Sequence, residues 1–234
     1  MNLREMLQIS PAVLSAYEKG NPIVAISSSE IFNVSDGGTL LNEVSDTIIA
    51  NGCVPALMYI NNGKLCVGAN DKDIELLQKH QSKNISISHL PLALCENICA
   101  CVECSAAILM ASLTDIFVVS GTYIGEAHST NIHQNIAALR AYPTLLVGCG
   151  SENLCNVMQE HTLPAYKISK SENEVFLCDS AYLGYEKLAE VCRTKWALGI
   201  TSGIGAILDN EPELKFAALT CAEASAKLAK LISH

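Results

Sequence analysis

The sequence predicts an α/β protein, a three-layer α/β/α domain with a largely parallel central sheet. Two observations predict this fold class. Short apolar runs of strand length alternate with longer segments of helical periodicity, and half of the 234 residues are hydrophobic while only 17% are charged. Strands that alternate with helices favour a parallel sheet covered on both faces, whose ligands bind beyond the carboxyl ends of the strands. We expect a single domain over residues 1–234.

The first third of the chain predicts two helices separated by a buried strand. Ser10 can cap the first helix, Pro11 suits its first position and Gly20 ends it. The strand is NPIVAISSS, and the second helix is GTLLNEVSDTIIANG, whose apolar residues recur at helical spacing. Next we expect a hairpin, in which VPALMYI and KLCVGA are joined by a turn at residues 61–63, and then a short helix, DKDIELLQKH.

The remaining two thirds continue the alternation. We expect a long apolar helix over residues 92–113 between the strands ISISHL and DIFVVSG, and its all-round hydrophobicity predicts a central position. The strand TLLVGCG and the helix SENLCNVMQEH follow. The last third predicts a helix over residues 180–199, the strand GIGAILDN and a final helix from about residue 213 to 232. The polar stretch SKSENEVFLCDS predicts a loop or lid.

Composition and charge exclude several classes of function. The formal net charge of −9 is spread along the chain without a Lys/Arg cluster, which argues against nucleic acid as a partner. No uncharged apolar run reaches about 18 residues, and the first ten residues lack the apolar core of a signal peptide, so we expect a cytoplasmic protein without a membrane partner. The high apolar content suits an oligomer interface.

The eleven cysteines raise the question of a metal or a reactive thiol. Cys95, Cys99, Cys101 and Cys104 resemble a metal-binding array, but four ligands in this pattern cannot converge from one straight helix. Cys149, in VGCGSEN, follows a strand and precedes a helix, where a thiol pKa can be lowered. Its two nearby glycines form only part of a dinucleotide-binding pattern.

The order of motifs resembles the pseudouridine-5'-phosphate glycosidase family over nearly the whole chain. The resemblance is carried by ISPAV, NPIVA, NGCVPALMYINNGKLCVG, LPLAL, IGEAH, KWALG and GAILDNEPE. It implies the family's α/β/α fold, assembly into trimers, and cleavage of the carbon-carbon glycosidic bond to give uracil and ribose 5-phosphate. It further implies a lysine that forms a Schiff base with the opened sugar, acid/base groups, and a divalent metal such as manganese.

The family's functional positions hold different residues in this chain. The Schiff-base lysine corresponds to Glu152, the metal-binding aspartate to Asn131, and a second active-site aspartate to Asn135. An early glutamate corresponds to Ser27, and a further lysine to Cys66. In the turn that precedes the NIHQN segment, only Gly125 and His128 are retained among the most distinctive residues, so we expect substrate contacts there; His133 is a weaker candidate.

These replacements predict a pseudoenzyme that keeps the scaffold and needs no cofactor. Such a protein could bind a nucleoside or sugar phosphate, form a homotrimer, or assemble with an active relative. The alternative is an active glycosidase or lyase with a relocated set, Lys64, Glu152, His128 and Cys149, with Glu126 as a further acid/base candidate. A third hypothesis is anion binding by the main-chain amides of residues 148–151 at a helix start, which the charge of Glu152 would oppose.

Overall fold

The computed structural model describes residues 3–79, 83–125, 130–151, 153–168, 182–208 and 213–233. Its strands are β1 (Leu7–Ile9), β2 (Ile23–Ser27), β3 (Val54–Asn61), β4 (Lys64–Val67), β5 (Asn84–Ile85), β6 (Ala100–Val102), β7 (Val118–Tyr123), β8 (Leu145–Cys149), β9 (Ala165–Ile168), β10 (Tyr182–Leu183) and β11 (Ile204–Leu208). Its helices are α1 (Leu3–Met6), α2 (Pro11–Lys19), α3 (Ser29–Phe32), α4 (Gly37–Ala50), α5 (Asp71–Lys79), α6 (Leu90–Cys95), α7 (Cys104–Leu113), α8 (Thr130–Ala141), α9 (Leu154–Glu160), α10 (Tyr185–Ala197) and α11 (Leu214–Ser233).

All the strands in the described part of the chain join one sheet. The order is β1-β4-β3-β2-β7-β8-β11-β9-β10, and β6 pairs with both β3 and β5 beside this path. The pairings are parallel except that β3 runs antiparallel to β4 and to β6. The central strands β2, β7, β8 and β11 therefore end on the same side, which we call the carboxyl edge: Ser27, Tyr123, Cys149 and Leu208.

Two hydrophobic cores cover the two faces of the sheet. On one face, buried residues of α2, α6, α7, α8 and α9 pack together with alternate strand residues such as Ala25 and Val119. On the other face, α3, α4, α5, α10 and α11 pack with the intervening residues, such as Val24 and Val118. This alternation follows from the two-residue repeat of a strand. The three-layer α/β/α fold with a largely parallel sheet is confirmed.

Local signals in the sequence explain the first helix and the hairpin. The Ser10 hydroxyl accepts a hydrogen bond from the Val13 amide at 3.4 Å, and Gly20 ends α2 in the left-handed conformation with φ of 67°. The β3–β4 turn places Asn62 and Gly63 at φ of 49° and 70°. Two consecutive residues with positive φ match the twist of a two-residue hairpin, which explains the Asn-Gly pair.

The prediction of one helix over residues 92–113 is wrong. Asn97, at φ of 54°, follows the end of α6, and Ala100–Val102 then form β6 against β3 before α7 begins. A short apolar run has no periodicity that separates a strand from a helix, so long-range pairing decides between them. The four clustered cysteines thus do not share one helix, and of the segment ISISHL only Ile85 lies in a strand, the two-residue β5. The predicted helix over residues 180–199 begins later, at Tyr185, because β10 precedes it.

Two further predictions concern the polar segment and the absence of membrane-spanning helices. The segment SKSENEVFLCDS lies outside the described residues. None of the described helices is both long enough and apolar enough to cross a membrane.

Candidate functional site

Ser27 ends β2 at the carboxyl edge, but its hydroxyl serves the sheet. Ser27 Oγ donates to the carbonyl oxygen of Val102 at 3.0 Å, and the side chain is 1% exposed. The neighbouring Ser28 Oγ donates to Met58 O at 2.7 Å and accepts from the Val102 amide at 2.9 Å. These hydroxyls join the end of β2 to the middle of β3 and to the end of β6. They are structural hydrogen bonds between strands.

The segment NIHQN lies within α8 and divides into a buried and an exposed amide. Asn135 Nδ2 donates to Ile124 O at 2.8 Å, and its side chain is 3% exposed. Asn131, one helical turn earlier, is exposed. His133 is also exposed, and its ring centroid lies 6.0 Å from that of His161. Asn135 therefore holds α8 to the end of β7.

The described residues do not fit a divalent metal at this position. Hard divalent cations take mainly carboxylate oxygens, and Asn131, at the position that the resemblance assigns to the metal, offers only a neutral amide on the exposed side of α8. Among the residues that the structure describes, no group of three or more His, Cys, Asp or Glu side chains is arranged to hold a metal ion.

Cys66 lies in β4 and faces the core under α5. Its thiol contacts Lys64 O at 3.7 Å, and burial raises its pKa to about 11. The cross-strand neighbour Tyr59 is 1% exposed, and burial raises the pKa of its phenol as well. Neither group exchanges protons readily near neutral pH. Lys64 is exposed at the tip of the hairpin.

Cys149 ends β8 and is fully buried beneath α11. Its sulfur lies 3.7 Å from Cys221 Sγ, which in turn contacts Thr122 O at 3.6 Å. The hydrogen bond to Cys149, together with burial, raises the pKa of Cys221 well above its usual range. Three strands separate β4 from β8, so Lys64 and Cys149 lie on strands about 19 Å apart. The structure does not bring these two members of the relocated set together.

The glycines after β8 serve close packing. A Cβ on Gly148 would lie 2.6 Å from Ile124 Cγ1, and one on Gly150 would lie 2.2 Å from Leu154 Cδ2. The Gly150 amide donates to Leu208 O at 3.2 Å. At least one of the amides proposed to bind an anion is thus used within the sheet. Gly125 is half-buried with φ of 108°, whereas Glu126, His128 and Glu152 lie outside the described residues.

Two carboxylates that the sequence reasoning missed gather near the start of α7. Glu30, in α3, accepts a hydrogen bond from Ser29 Oγ at 2.8 Å. Burial raises the pKa of Glu30, and the charge of Glu103 raises it further. Burial also raises the pKa of Glu103, which the nearby His89 partly offsets. Burial and the charge of Glu30 raise the pKa of Cys104, the first residue of α7. The sequence did contain one signal for this pair, because Glu103 is an acidic residue inside the apolar run CVECSAA.

Two buried lysines have different surroundings. Lys195, in the KWALG motif, bonds to the main-chain and side-chain oxygens of Ser202, and burial lowers its pKa. The motif is therefore structural, because it fixes the segment before β11. Lys167, in β9, is 8% exposed, and its Nζ lies 5.4 Å from the ring centroid of Tyr182. Burial raises the pKa of Cys155, and the charge of Lys167 partly offsets that rise. Lys167 was not singled out from the sequence.

Comparisons with known proteins agree with this architecture. The pseudouridine-5'-phosphate glycosidase of Clostridium botulinum is 26% identical over 93% of this chain and 79% of the relative, and that of Escherichia coli is 26% identical over 86% and 72%. Two solved structures share the fold. The prealnumycin C-glycosynthase AlnA, in complex with ribulose 5-phosphate, has a TM-score of 0.81 at 17% identity over 98% of this chain and 97% of AlnA.

The second structure is an indigoidine synthase A-like protein from Thermotoga maritima, with a TM-score of 0.76 at 15% identity over 97% of this chain and 95% of that protein. The family model described as indigoidine synthase A like protein matches residues 12–224. Because this match spans most of the sequence, the chain belongs to the indigoidine synthase A-like family and is a pseudouridine-5'-phosphate glycosidase-like protein.

Proposed function

We propose that this protein is a pseudoenzyme that keeps the glycosidase scaffold without its carbon-carbon bond cleavage. One observation carries the proposal. At the positions that the resemblance assigns to proton-transfer groups, the side chains of Ser27 and Asn135 donate to main-chain carbonyls, and Cys66 is buried with a raised pKa. These side chains stabilise the fold at the positions from which relatives would act on a substrate.

The covalent step gives the chemical reason for the loss. A carbon-carbon glycosidic bond offers no heteroatom leaving group, so the family's route depends on an imine between a lysine and the sugar. The sequence places Glu152 at that lysine's position, and a carboxylate cannot form an imine. Loss of each acid/base group would remove a further factor of about 10² to 10⁴ in rate.

Ligand binding and assembly are the functions that remain. The relatives of this chain include pseudouridine-5'-phosphate glycosidases, and the structure of AlnA contains ribulose 5-phosphate. We therefore propose a nucleoside or sugar phosphate as the ligand class, bound beyond the carboxyl edge. Exposed apolar side chains, among them Leu92, Leu198 and Phe216, favour a homo-oligomer or assembly with an active relative.

The test is incubation of the pure protein with pseudouridine 5'-phosphate and manganese, with uracil release as the readout. We expect no release above the rate without protein. An active relative assayed in parallel is the control for the substrate and the metal. A mock preparation from cells that lack the protein gives the background rate of uracil release. Release above that background would overturn the proposal.

A second candidate function rests on the carboxylate pair. The charge of Glu103 acts on Glu30 at the carboxyl edge, and burial raises the pKa of both carboxyl groups, which is the direction that a general acid requires. Lys167 cannot belong to the same set, because β9 lies four strands from β2, about 19 Å away. This candidate predicts turnover of a nucleoside or sugar phosphate. If Glu103→Gln abolishes that turnover and retains binding, the result would favour this candidate over the pseudoenzyme.

A further inference from the structure

A cavity lies at the opposite edge of the sheet from the candidate functional site. It has a volume of about 180 Å³ and opens where β2 and β7 begin, at Ile23 and Val118. We call it the amino-edge cavity. Its remaining walls come from α2, from the turn after α7, and from the last residues of α11. All of these residues belong to the described part of the chain.

Three helices end at the amino-edge cavity. Gly20 and Asn21 follow α2, Asp115 follows α7, and Ile232 and Ser233 close α11. Each helix carboxyl end carries the equivalent of about −0.5 charge, because its last carbonyls point along the axis. The carboxylate of Asp115, which is exposed, adds a full negative charge. These helix ends and the carboxylate contribute negative charge around the cavity.

The basic side chains at these helix ends, Lys19, Lys230 and Arg193, lie outside the lining of the cavity. Among the described residues that line the cavity there is no lysine, arginine or histidine. Lys19 and Lys230 lie in the last turns of α2 and α11 but do not line it. On another side of α11, the Arg193 guanidinium donates to Leu231 O. The end of this helix thus already binds one guanidinium of the chain itself.

Aromatic rings provide a second feature that favours a cation. Tyr17 and Phe117 line the cavity and are 37% and 43% exposed. Phe117 packs against Trp196 with ring centroids 5.2 Å apart, which fixes the orientation of its ring. The Tyr17 hydroxyl donates to Thr114 O, so its oxygen keeps its capacity to accept a hydrogen bond. A cation over such a ring is attracted by the negative face of the π system.

We propose that the amino-edge cavity binds a small organic cation that carries N–H groups, an alkylguanidinium or alkylammonium ion. Its acceptors are the Asp115 carboxylate and the Tyr17 hydroxyl oxygen, and Phe117 supplies a flat apolar face. Acceptors select N–H cations over quaternary ammonium ions, which cannot donate hydrogen bonds. The site is open and shallow, so affinity in the millimolar range is expected. This inference is independent of the proposed function.

The test is a titration of the ¹⁵N-labelled protein with methylguanidinium chloride at constant ionic strength. Methylurea is the matched control, because it has nearly the same shape and no charge. We expect saturable shifts of the amide signals of Gly20, Asp115 and Phe117 with methylguanidinium and none with methylurea. Equal shifts with both compounds, or no saturable shift with methylguanidinium, would overturn the proposal.

A variant pair tests the carboxylate. Asp115 has φ of 53°, a conformation that asparagine tolerates well, so Asp115→Asn removes the charge without straining the backbone. We expect binding to weaken by about three- to fivefold, the range of an exposed ion pair. Asp46→Asn, at an exposed position of α4, is the control and should leave the affinity unchanged. Unchanged affinity in Asp115→Asn would contradict the proposed role of the carboxylate.

Discussion

At the scale of single residues, two side chains at positions that the resemblance assigns to catalysis form structural hydrogen bonds. Ser27 and Asn135 each donate to a main-chain carbonyl, of Val102 and of Ile124. The sequence predicts these positions through the resemblance. It could not identify their partners, because Val102 lies 75 residues from Ser27 and only the pairing of β6 brings it near.

The Asn135 bond gives the first prediction. Asn135→Ala leaves Ile124 O buried without its donor, which should lower the free energy of unfolding by about 1 to 3 kcal/mol. Asn131→Ala, on the exposed side of the same helix, should change it by less than about 0.5 kcal/mol. Urea unfolding followed by circular dichroism measures both. An equal change in the free energy of unfolding in the two variants would show that the buried Asn135 amide does not stabilise the fold.

The carboxylate of Glu30 gives a prediction about pH. Its pKa in the folded protein is raised above the ordinary value of 4.5, so the folded state favours the protonated form. This contribution to stability is complete below pH 4.5 and is lost as the pH rises through the folded-state pKa. Glu30→Gln should therefore stabilise the protein at pH 7 and give little gain at pH 4, measured by urea unfolding at both values. A larger gain at pH 4 than at pH 7 would contradict the raised pKa.

At the scale of elements, prediction succeeded where local signals are strong and failed where distant pairing decides. The cap at Ser10, the Asn-Gly turn and the helical repeat of α4 each act within a few residues, and each was found from the sequence. Strand β6 exists because β3 and β5 pair with it, and no local signal in NICACVEC distinguishes it from helix. The carboxylate pair at the start of α7 was missed for the same reason: Glu30 and Glu103 are far apart in sequence.

The packing of β8 gives a prediction at this scale. Gly148→Ala would place a methyl group 2.6 Å from Ile124 Cγ1, so β7 or β8 must shift. We expect a loss of about 1 to 3 kcal/mol in unfolding free energy. Gly184→Ala is the control, since no atom lies within 4 Å of a Cβ there, and it should cost less than about 1 kcal/mol. Similar melting temperatures for the two variants would contradict the close packing.

At the scale of the whole molecule, the fold is that of the family, and the change that we propose concerns only the chemistry at the carboxyl edge. AlnA shares the architecture at 17% identity, which shows how much substitution the two hydrophobic cores tolerate. A catalytic site tolerates far less substitution than a core, because each reactive group must be present at its position. Fold and family were therefore accessible from sequence patterns, whereas the present role of the site depends on contacts that only the structure gives.

Assembly is a property of the whole molecule and gives a further prediction. The resemblance implies a trimer, so light scattering coupled to size-exclusion chromatography should give three times the chain mass of 25.0 kDa. The exposed apolar side chains should be covered in that assembly, and Leu198→Glu or Phe216→Glu would weaken it if the residue lies in the interface. A monomer at micromolar concentration would contradict the implied trimer.

The central claim is that the covalent route has been lost, and chemical trapping tests it most directly. The protein is incubated with pseudouridine 5'-phosphate and then with cyanoborohydride, which reduces any imine to a stable amine, and the intact mass is measured alongside an active relative. The account predicts an unchanged mass for this protein and an adduct on the relative. A stoichiometric adduct mapped to one lysine of this chain, Lys167 or Lys64 included, would show that a reactive amine has been retained and would contradict the account.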